Sequence, residues 1–215
     1  MRRPARTLVR LAAAVVLVAA AGCGDDDGPA TPTTTIAPFE TGAGATTGDP
    51  AADAVLALLD AAPQRRFTAR YAVFRPLGAV TSSALVVHDL DVAVVEVADV
   101  RFVLGATART CVAGRCEDGV NDARVSDRLP MGAAFFAERP ARALRVSVAR
   151  RAGPVVASSA TVAGRPATCA TVPVLGGTER YCASDLGAVA VVERADVRIT
   201  AEDLTDTVDR TRLGP

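Results

Sequence analysis

The chain has no tryptophan, no lysine, one histidine and two tyrosines. With six phenylalanines as the only other large rings, Val and Ala must fill most of any interior. One histidine cannot build a metal site alone, and no C-x-x-C pair is present to help it. An excess of basic charge is also missing: 24 basic residues face 24 acidic ones. That balance gives no case for nucleic-acid binding. No apolar run reaches the roughly 20 residues of a membrane span. The stretch Val92 to Val103 is broken by Glu96, Asp99 and Arg101. All 24 basic residues are arginine, which points to a GC-rich genome and says nothing of function.

What is present begins at the N-terminus. Arg2, Arg3, Arg6 and Arg10 form a basic segment, and Leu11 to Ala21 is an uncharged apolar run. The run is too short to span a bilayer and suits a signal peptide. Ala20-Ala21-Gly22-Cys23 follows, small residues before a cysteine, which resembles the bacterial lipobox. The usual box opens with Leu, and here Val18 and Ala19 stand just upstream. Residues 1–22 are therefore read as a lipoprotein signal peptide and Cys23 as the acylated residue. A diacylglyceryl thioether supplies two chains, each buried CH₂ contributing ~0.8 kcal/mol, so the attachment is expected to be stable. Residues 23–48 carry the anchor and a polar tether rich in Gly, Pro and Thr that cannot bury enough apolar surface to fold. Asp25, Asp26 and Asp27 in it read as solvated charge rather than ligands. Removing four arginines with the leader leaves 20 basic residues against 24 acids, a net charge of −4. The protein is expected to be exported and held on the outer face of the cell membrane or cell envelope.

Residues 49–209 form one domain's worth of chain, with 210–215 as a tail. Four cysteines remain after Cys23: Cys111, Cys116, Cys169 and Cys182. An even number in an exported chain reads as two disulfides, with three connectivities open. Cys111–Cys116 and Cys169–Cys182 are favoured because both are local, the first closing a loop around Val-Ala-Gly-Arg, the second stapling strands across Leu175-Gly176-Gly177.

Asp49 and Pro50 suit the N-cap and first position of a helix running to about Ala62, with Val55, Leu58, Leu59 and Ala62 on one face and Pro63 as the stop. Phe67 to Phe74 alternates as a strand, and Ser83–His88, Val92–Val97 and Asp99–Leu104 follow. Met131 to Glu138 is apolar and helical in character, and a helix over Ala141 to about Arg151 follows Pro140. About five more strands occupy 155–162, 167–174, 180–183, 188–193 and 197–200. The pattern predicts an α+β domain with a large antiparallel sheet. One nine-residue segment, 93–101, recurs at 190–198 with eight identities, either a duplicated hairpin or chance in a chain rich in Val and Ala.

A lipobox, a tether, a short helix, a run of strands with a helical insert, and more strands together resemble the LolA-like and LprG-type lipid-binding bacterial lipoproteins, with local segments such as FTARYAVF and AGRPATCATVPVLGGTERYC similar to actinobacterial members. The resemblance covers about residues 51–209. It implies a curved antiparallel half-barrel whose concave face is covered by the N-terminal helix and the helical insert, with an apolar cavity for an acylated molecule. By position, Tyr71, Val94, Phe102 and Leu104 would line the sheet, and Met131, Phe135 and Phe136 would form a lid. Ordinary core packing is the competing reading of each.

Three classes of function follow. A membrane-anchored domain that binds or transfers a lipid leads. Its rival is a non-catalytic envelope module that binds proteins or supports structure, its partners unidentified. An enzyme is not expected: there is no G-x-S-x-G elbow, Ser158-Ser159 lies in a strand-like context, and His88 lies in an apolar strand. Glu117-Asp118 could attract a cation but reads as a polar loop, so no metal and no cofactor are expected. Arg142, Arg145, Arg150 and Arg151 crowd one helix and suit phosphate, so they are a candidate head-group patch.

Overall fold

The first helix, α1 (Pro50–Asp60), starts where its cap is strongest. The Asp49 carboxylate accepts the Ala51 and Ala52 N–H groups at 3.0 and 3.3 Å, and Pro50 has no N–H to leave unpaired. The computed structural model describes residues 44–125, 129, 131–136 and 138–214. The expected leader, Cys23 and the tether as far as residue 43 lie outside the described residues. Ordered contacts begin before the expected boundary at 49. The Gly44 N–H donates to Asp60 at 3.1 Å, and Thr47 donates to Asp53 from N and Oγ1 at 2.7 and 2.8 Å. The helix buries Ala52, Val55, Leu56 and Leu59. Each Val or Leu contributes ~1.5–3 kcal/mol by leaving water. Leu58, expected on that face, is only half-buried.

Eleven strands follow, two more than the sequence reading. They are β1 (Arg66–Arg75), β2 (Val80–Asp89), β3 (Val92–Val97), β4 (Val100–Leu104), β5 (Arg109–Val112), β6 (Arg115–Asp118), β7 (Val156–Val162), β8 (Arg165–Val174), β9 (Gly177–Ser184), β10 (Val189–Glu193) and β11 (Arg198–Thr205). The loop around Val-Ala-Gly-Arg is a hairpin between the unexpected β5 and β6. Ala113 and Gly114 both take positive φ, 49° and 77°, as a two-residue primed turn requires. The same tetrapeptide recurs at 162–165 and turns β7 into β8 with nearly the same angles, 50° and 76°. Both favoured disulfides are formed, each between residues directly opposite in a hairpin: Cys111 with Cys116, and Cys169 with Cys182.

The helical insert differs from expectation. Residues 133–136 are turns, and the helix α2 (Glu138–Ala149) starts three residues before Ala141. The Asp122 carboxylate accepts the Ala133 N–H at 2.8 Å and lies so close to Gly132 that a Cβ has no room there.

The strands form one open, curved antiparallel sheet in the order β6-β5-β4-β3-β2-β1-β11-β10-β9-β8-β7. This order contains a repeat. Four strands β1 to β4 are followed across the β1–β11 seam by β11 to β8, so that β1 corresponds to β8, β2 to β9, β3 to β10 and β4 to β11. The nine-residue echo falls on corresponding hairpins, β3–β4 and β10–β11. Each copy keeps the same cross-strand ion pair, Glu96–Arg101 at 3.9 Å and Glu193–Arg198 at 3.3 Å.

One face of the sheet, the inner face, carries the main core. Phe67, Ala69, Tyr71 and Val73 alternate inward along β1, and they join Val86, Val95, Phe102, Val172, Tyr181 and Ile199. The same core includes Val55 and Leu59 of α1, Leu144 and Val148 of α2, and Met131, Phe135 and Phe136. Helices α1 and α2 pack over β8 and β9. On the outer face the end of the chain packs back: Val208 and Leu213 lie against Leu85, Val87, Val94 and Val103. Arg101 fixes it by donating to the carbonyls of Arg212 at 2.5 Å and Gly214 at 2.7 Å. Residues 210–214, read as a tail, thus belong to the packed domain. All the described residues fall within one compact unit, 39–215.

Candidate functional site

Two regions carry groups that packing alone does not explain. The first lies on the inner face beneath residues 131–136. Alternation in β1 turns Phe67 and Tyr71 inward, and pairing with β2 sets His88 opposite Phe67. A chain of ring contacts results. Tyr71 meets Phe135 edge-on, with centroids 5.3 Å apart and planes at 84°. Phe135 meets Phe136 at 6.2 Å, Phe136 meets His88 at 5.9 Å, and His88 stacks on Phe67 at 5.3 Å. The Arg65 carbonyl lies 2.8 Å from His88 Nδ1; a carbonyl only accepts, so Nδ1 donates and the ring is locked in place.

The expected lining and lid residues Tyr71, Phe102, Leu104, Met131, Phe135 and Phe136 all pack in or against this core. Val94 does not. It points to the outer face and packs with Leu85 and Val87 under the C-terminal segment. The reason is the two-residue period of a strand: Ala93, Val95 and Val97 take the inner side of β3, so Val94 takes the other.

Inside this apolar setting the Tyr71 hydroxyl is fully buried and has no hydrogen-bond partner among the described residues. Burial pushes its phenol pKa up, so it stays protonated and remains a donor. Buried hydroxyls nearly always find a partner, and leaving one unmet costs ~1–3 kcal/mol.

The second region is a groove of about 450 Å³ between the outer side of α2 and the β8–β9 hairpin. Its wall includes Arg139, Arg142, Arg150 and Arg194, its apolar lining Ala143, Val146, Val174 and Leu175. Of the four arginines expected as a patch, the structure brings Arg142 and Arg150 together here. Arg145 is withdrawn from the patch: it is buried, donating to Asp60 at 2.6 Å and to the Ala45 carbonyl at 3.0 Å, and ties α2 to α1. Arg151 donates to the Val148 carbonyl at 3.1 Å, at the C-terminal end of α2.

Under the groove a polar cluster joins helix to sheet. Ser147 Oγ bonds Glu179 and lies 3.0 Å from the Tyr181 hydroxyl, which donates to Glu179 at 2.8 Å. Burial raises the Tyr181 pKa, the Ser147 bond opposes that shift, and Glu179 adds to it. Arg194 pairs with Glu179 at 3.6 Å and Asp196 at 3.4 Å. The sequence reading missed Arg139, Ser147, Glu179, Tyr181 and Arg194. A signal for Arg194 existed: it is the single mismatch in the echo, standing where the other copy has buried Val97.

The remaining sequence candidates are placed elsewhere. Ser158 and Ser159 lie exposed on the edge strand β7. Glu117 already has partners: Arg124 grips it with two bonds of 2.9 and 2.8 Å, and Asn121 adds one of 2.8 Å. Those bonds, Arg124's first, hold its carboxyl down at about 2. Among the described residues no three His, Cys, Asp or Glu side chains gather as a metal site. No helix among them is long and apolar enough to cross a membrane.

No protein-family model matches the sequence, and no curated protein matches it. Solved structures do show similarity. The crystal structure of MucB has 16% identity and a TM-score of 0.49, covering 78% of this chain and 64% of that one. The Pseudomonas aeruginosa MucA/MucB complex gives 17% identity and a TM-score of 0.45, with 77% and 60% covered. An uncharacterized conserved protein from Thermus thermophilus gives 8% and 0.43, with 75% and 91% covered. The chain thus spans about three fifths of the length of the MucB chains that it matches.

Proposed function

We propose that this is an exported envelope protein, anchored through acylated Cys23, whose curved sheet holds an acylated molecule against its inner face beneath residues 131–136. The observation that carries the reading is the Tyr71 hydroxyl, a neutral donor without a partner in an otherwise apolar core. An ester or amide carbonyl at the head of an acyl chain would supply the acceptor it needs.

Residues 131–136 suit a movable cover. They form no regular element, and Phe135 and Phe136 hold them through ring contacts to β1 and β2. Lifting the two rings would open the floor formed by Tyr71, Phe102 and Leu104. An acyl chain taking their place gains ~25 cal/mol per Å² removed from water while the floor stays covered, so exchange need not expose the core. Binding of this kind requires no catalytic step, and none is assigned.

Titration with a fluorescent fatty acid tests the reading. Saturable binding is expected, weakened by Tyr71→Phe and abolished by Phe136→Asp. A wild-type protein that gives no saturable signal rejects it.

A further inference from the structure

Leu175 and Leu77 are the two most exposed large apolar side chains among the described residues, at 97% and 76%. Each stands in a hairpin turn beside a glycine of positive φ, Gly176 at 91° and Gly78 at 85°. Their hairpins, β8–β9 and β1–β2, correspond in the repeat. From β1 to β8 the sheet takes four antiparallel steps, β1-β11-β10-β9-β8, so β1 and β8 run parallel. Both turns therefore lie at the same end of the sheet. The separation is four strand spacings, roughly 19 Å along the sheet.

The arginine groove reaches the same end. Helix α2 finishes there, with the Ala152 N–H bonded to the Pro173 carbonyl at 2.8 Å, next to the β8–β9 turn. Arg142 and Arg150 are exposed and have no acidic partner among the described residues, although the chain as a whole has as many acids as bases. Leu175 itself lines the groove beside them. Isolated exposed leucines need no explanation, but two at one end of a sheet, one of them bordered by unpaired arginines, form an amphipathic edge. Apolar tips with adjoining cations match an interface where phosphates overlie acyl chains.

We infer that this end of the sheet docks on an anionic phospholipid surface, with Leu77 and Leu175 entering the head-group layer and Arg142 and Arg150 pairing with lipid phosphates. The inference goes beyond acyl-ligand binding and does not depend on it, because docking uses the sheet end and not the inner face. For a domain carried on a tether, docking would set the distance and orientation at which it meets the membrane.

The chain contains no tryptophan, so Leu175→Trp supplies a single reporter. The test uses the chain starting at Gly24, which lacks the anchor but keeps the whole described core. Mixing with phosphatidylcholine–phosphatidylglycerol vesicles should shift the emission of the introduced indole to the blue and carry the protein down with the vesicles. High salt should reverse both. Arg142→Glu with Arg150→Glu should weaken binding about tenfold or more, at ~1 kcal/mol per basic residue near the surface. Leu77→Asp should weaken it also, whereas Leu90→Asp, in the β2–β3 turn at the other end, should not. Four results overturn the inference: no blue shift with anionic vesicles, equal binding to pure phosphatidylcholine, equal binding by the arginine variant, or an equal shift with inorganic phosphate alone, which would make the groove a small-anion site.

Discussion

Tyr71 lies edge-on against Phe135 with ring centroids 5.3 Å apart, while its hydroxyl, in the same apolar pocket, has no partner among the described residues. The ring thus serves the fold and the hydroxyl does not. Replacing Tyr71 by Phe should keep the packing and remove the unmet donor. The ligand-free protein should gain about 1 kcal/mol, or roughly 2–4 °C in melting temperature, while acyl affinity falls. Thermal melts with and without a fatty acid would read both effects. A large loss of stability would mean that the hydroxyl already has a structural partner.

The Arg145–Asp60 pair should matter asymmetrically. The Arg145 side chain is 6% exposed and Asp60 23%. Asp60→Ala leaves a buried guanidinium without its acid and should cost about 2 kcal/mol, below the range for fully buried pairs because Asp60 touches water. Arg145→Met leaves only a carboxylate that can turn to solvent and should cost less. Urea unfolding of the two variants checks the order.

Glu117 provides the pH dependence. Its folded pKa of about 2 lies below the ordinary value of 4.5, so the unfolded chain binds its proton more readily. The contribution is fully present above pH 4.5 and is lost as pH falls towards 2. The wild type should be more stable than Glu117→Gln at neutral pH, and the difference should vanish at the acid end of that window. Because the carboxylate is partly exposed, the effect should also shrink in high salt. Denaturation at several pH values would measure it, and NMR titration of Glu117 would confirm the source.

The two disulfides should respond differently to reductant. Cys169 and Cys182 are buried at 0% and 2%, whereas Cys116 is exposed in its hairpin. Mild reduction followed by alkylation should label Cys111 and Cys116 first. The sequence separations are 5 and 13, so in the chain-entropy description the bonds contribute ~2 and ~3 kcal/mol respectively.

The elements most legible in the sequence were those with strong local signals. Asp49-Pro50 marked the start of α1, alternation marked β1, and short cysteine spacings marked both bridges. Strands β5 and β6 escaped because four residues carry too little periodicity and their turn uses Ala-Gly rather than Asn-Gly. Met131 to Glu138 reads as helical because composition shows helix-forming residues but not the Asp122 carboxylate, outside the segment, that accepts the Ala133 N–H where the turns at 133–136 begin. The face that Val94 takes is not legible in the sequence, because β3 is apolar on both faces, the outer one covered by Val208 and Leu213. Arg145 and Arg142 look alike in sequence; only the position of Asp60 separates the structural arginine from the one left exposed.

The most direct test of the acyl-binding account is native mass spectrometry on the chain starting at Gly24, produced in a lipid-containing host. The account predicts a one-to-one lipid adduct, lost in Phe136→Asp, diminished in Tyr71→Phe and retained in Leu77→Asp. A clean ligand-free mass that persists after incubation with membrane extract would contradict it, and would favour a domain whose own side chains fill its half-barrel and whose partners are proteins.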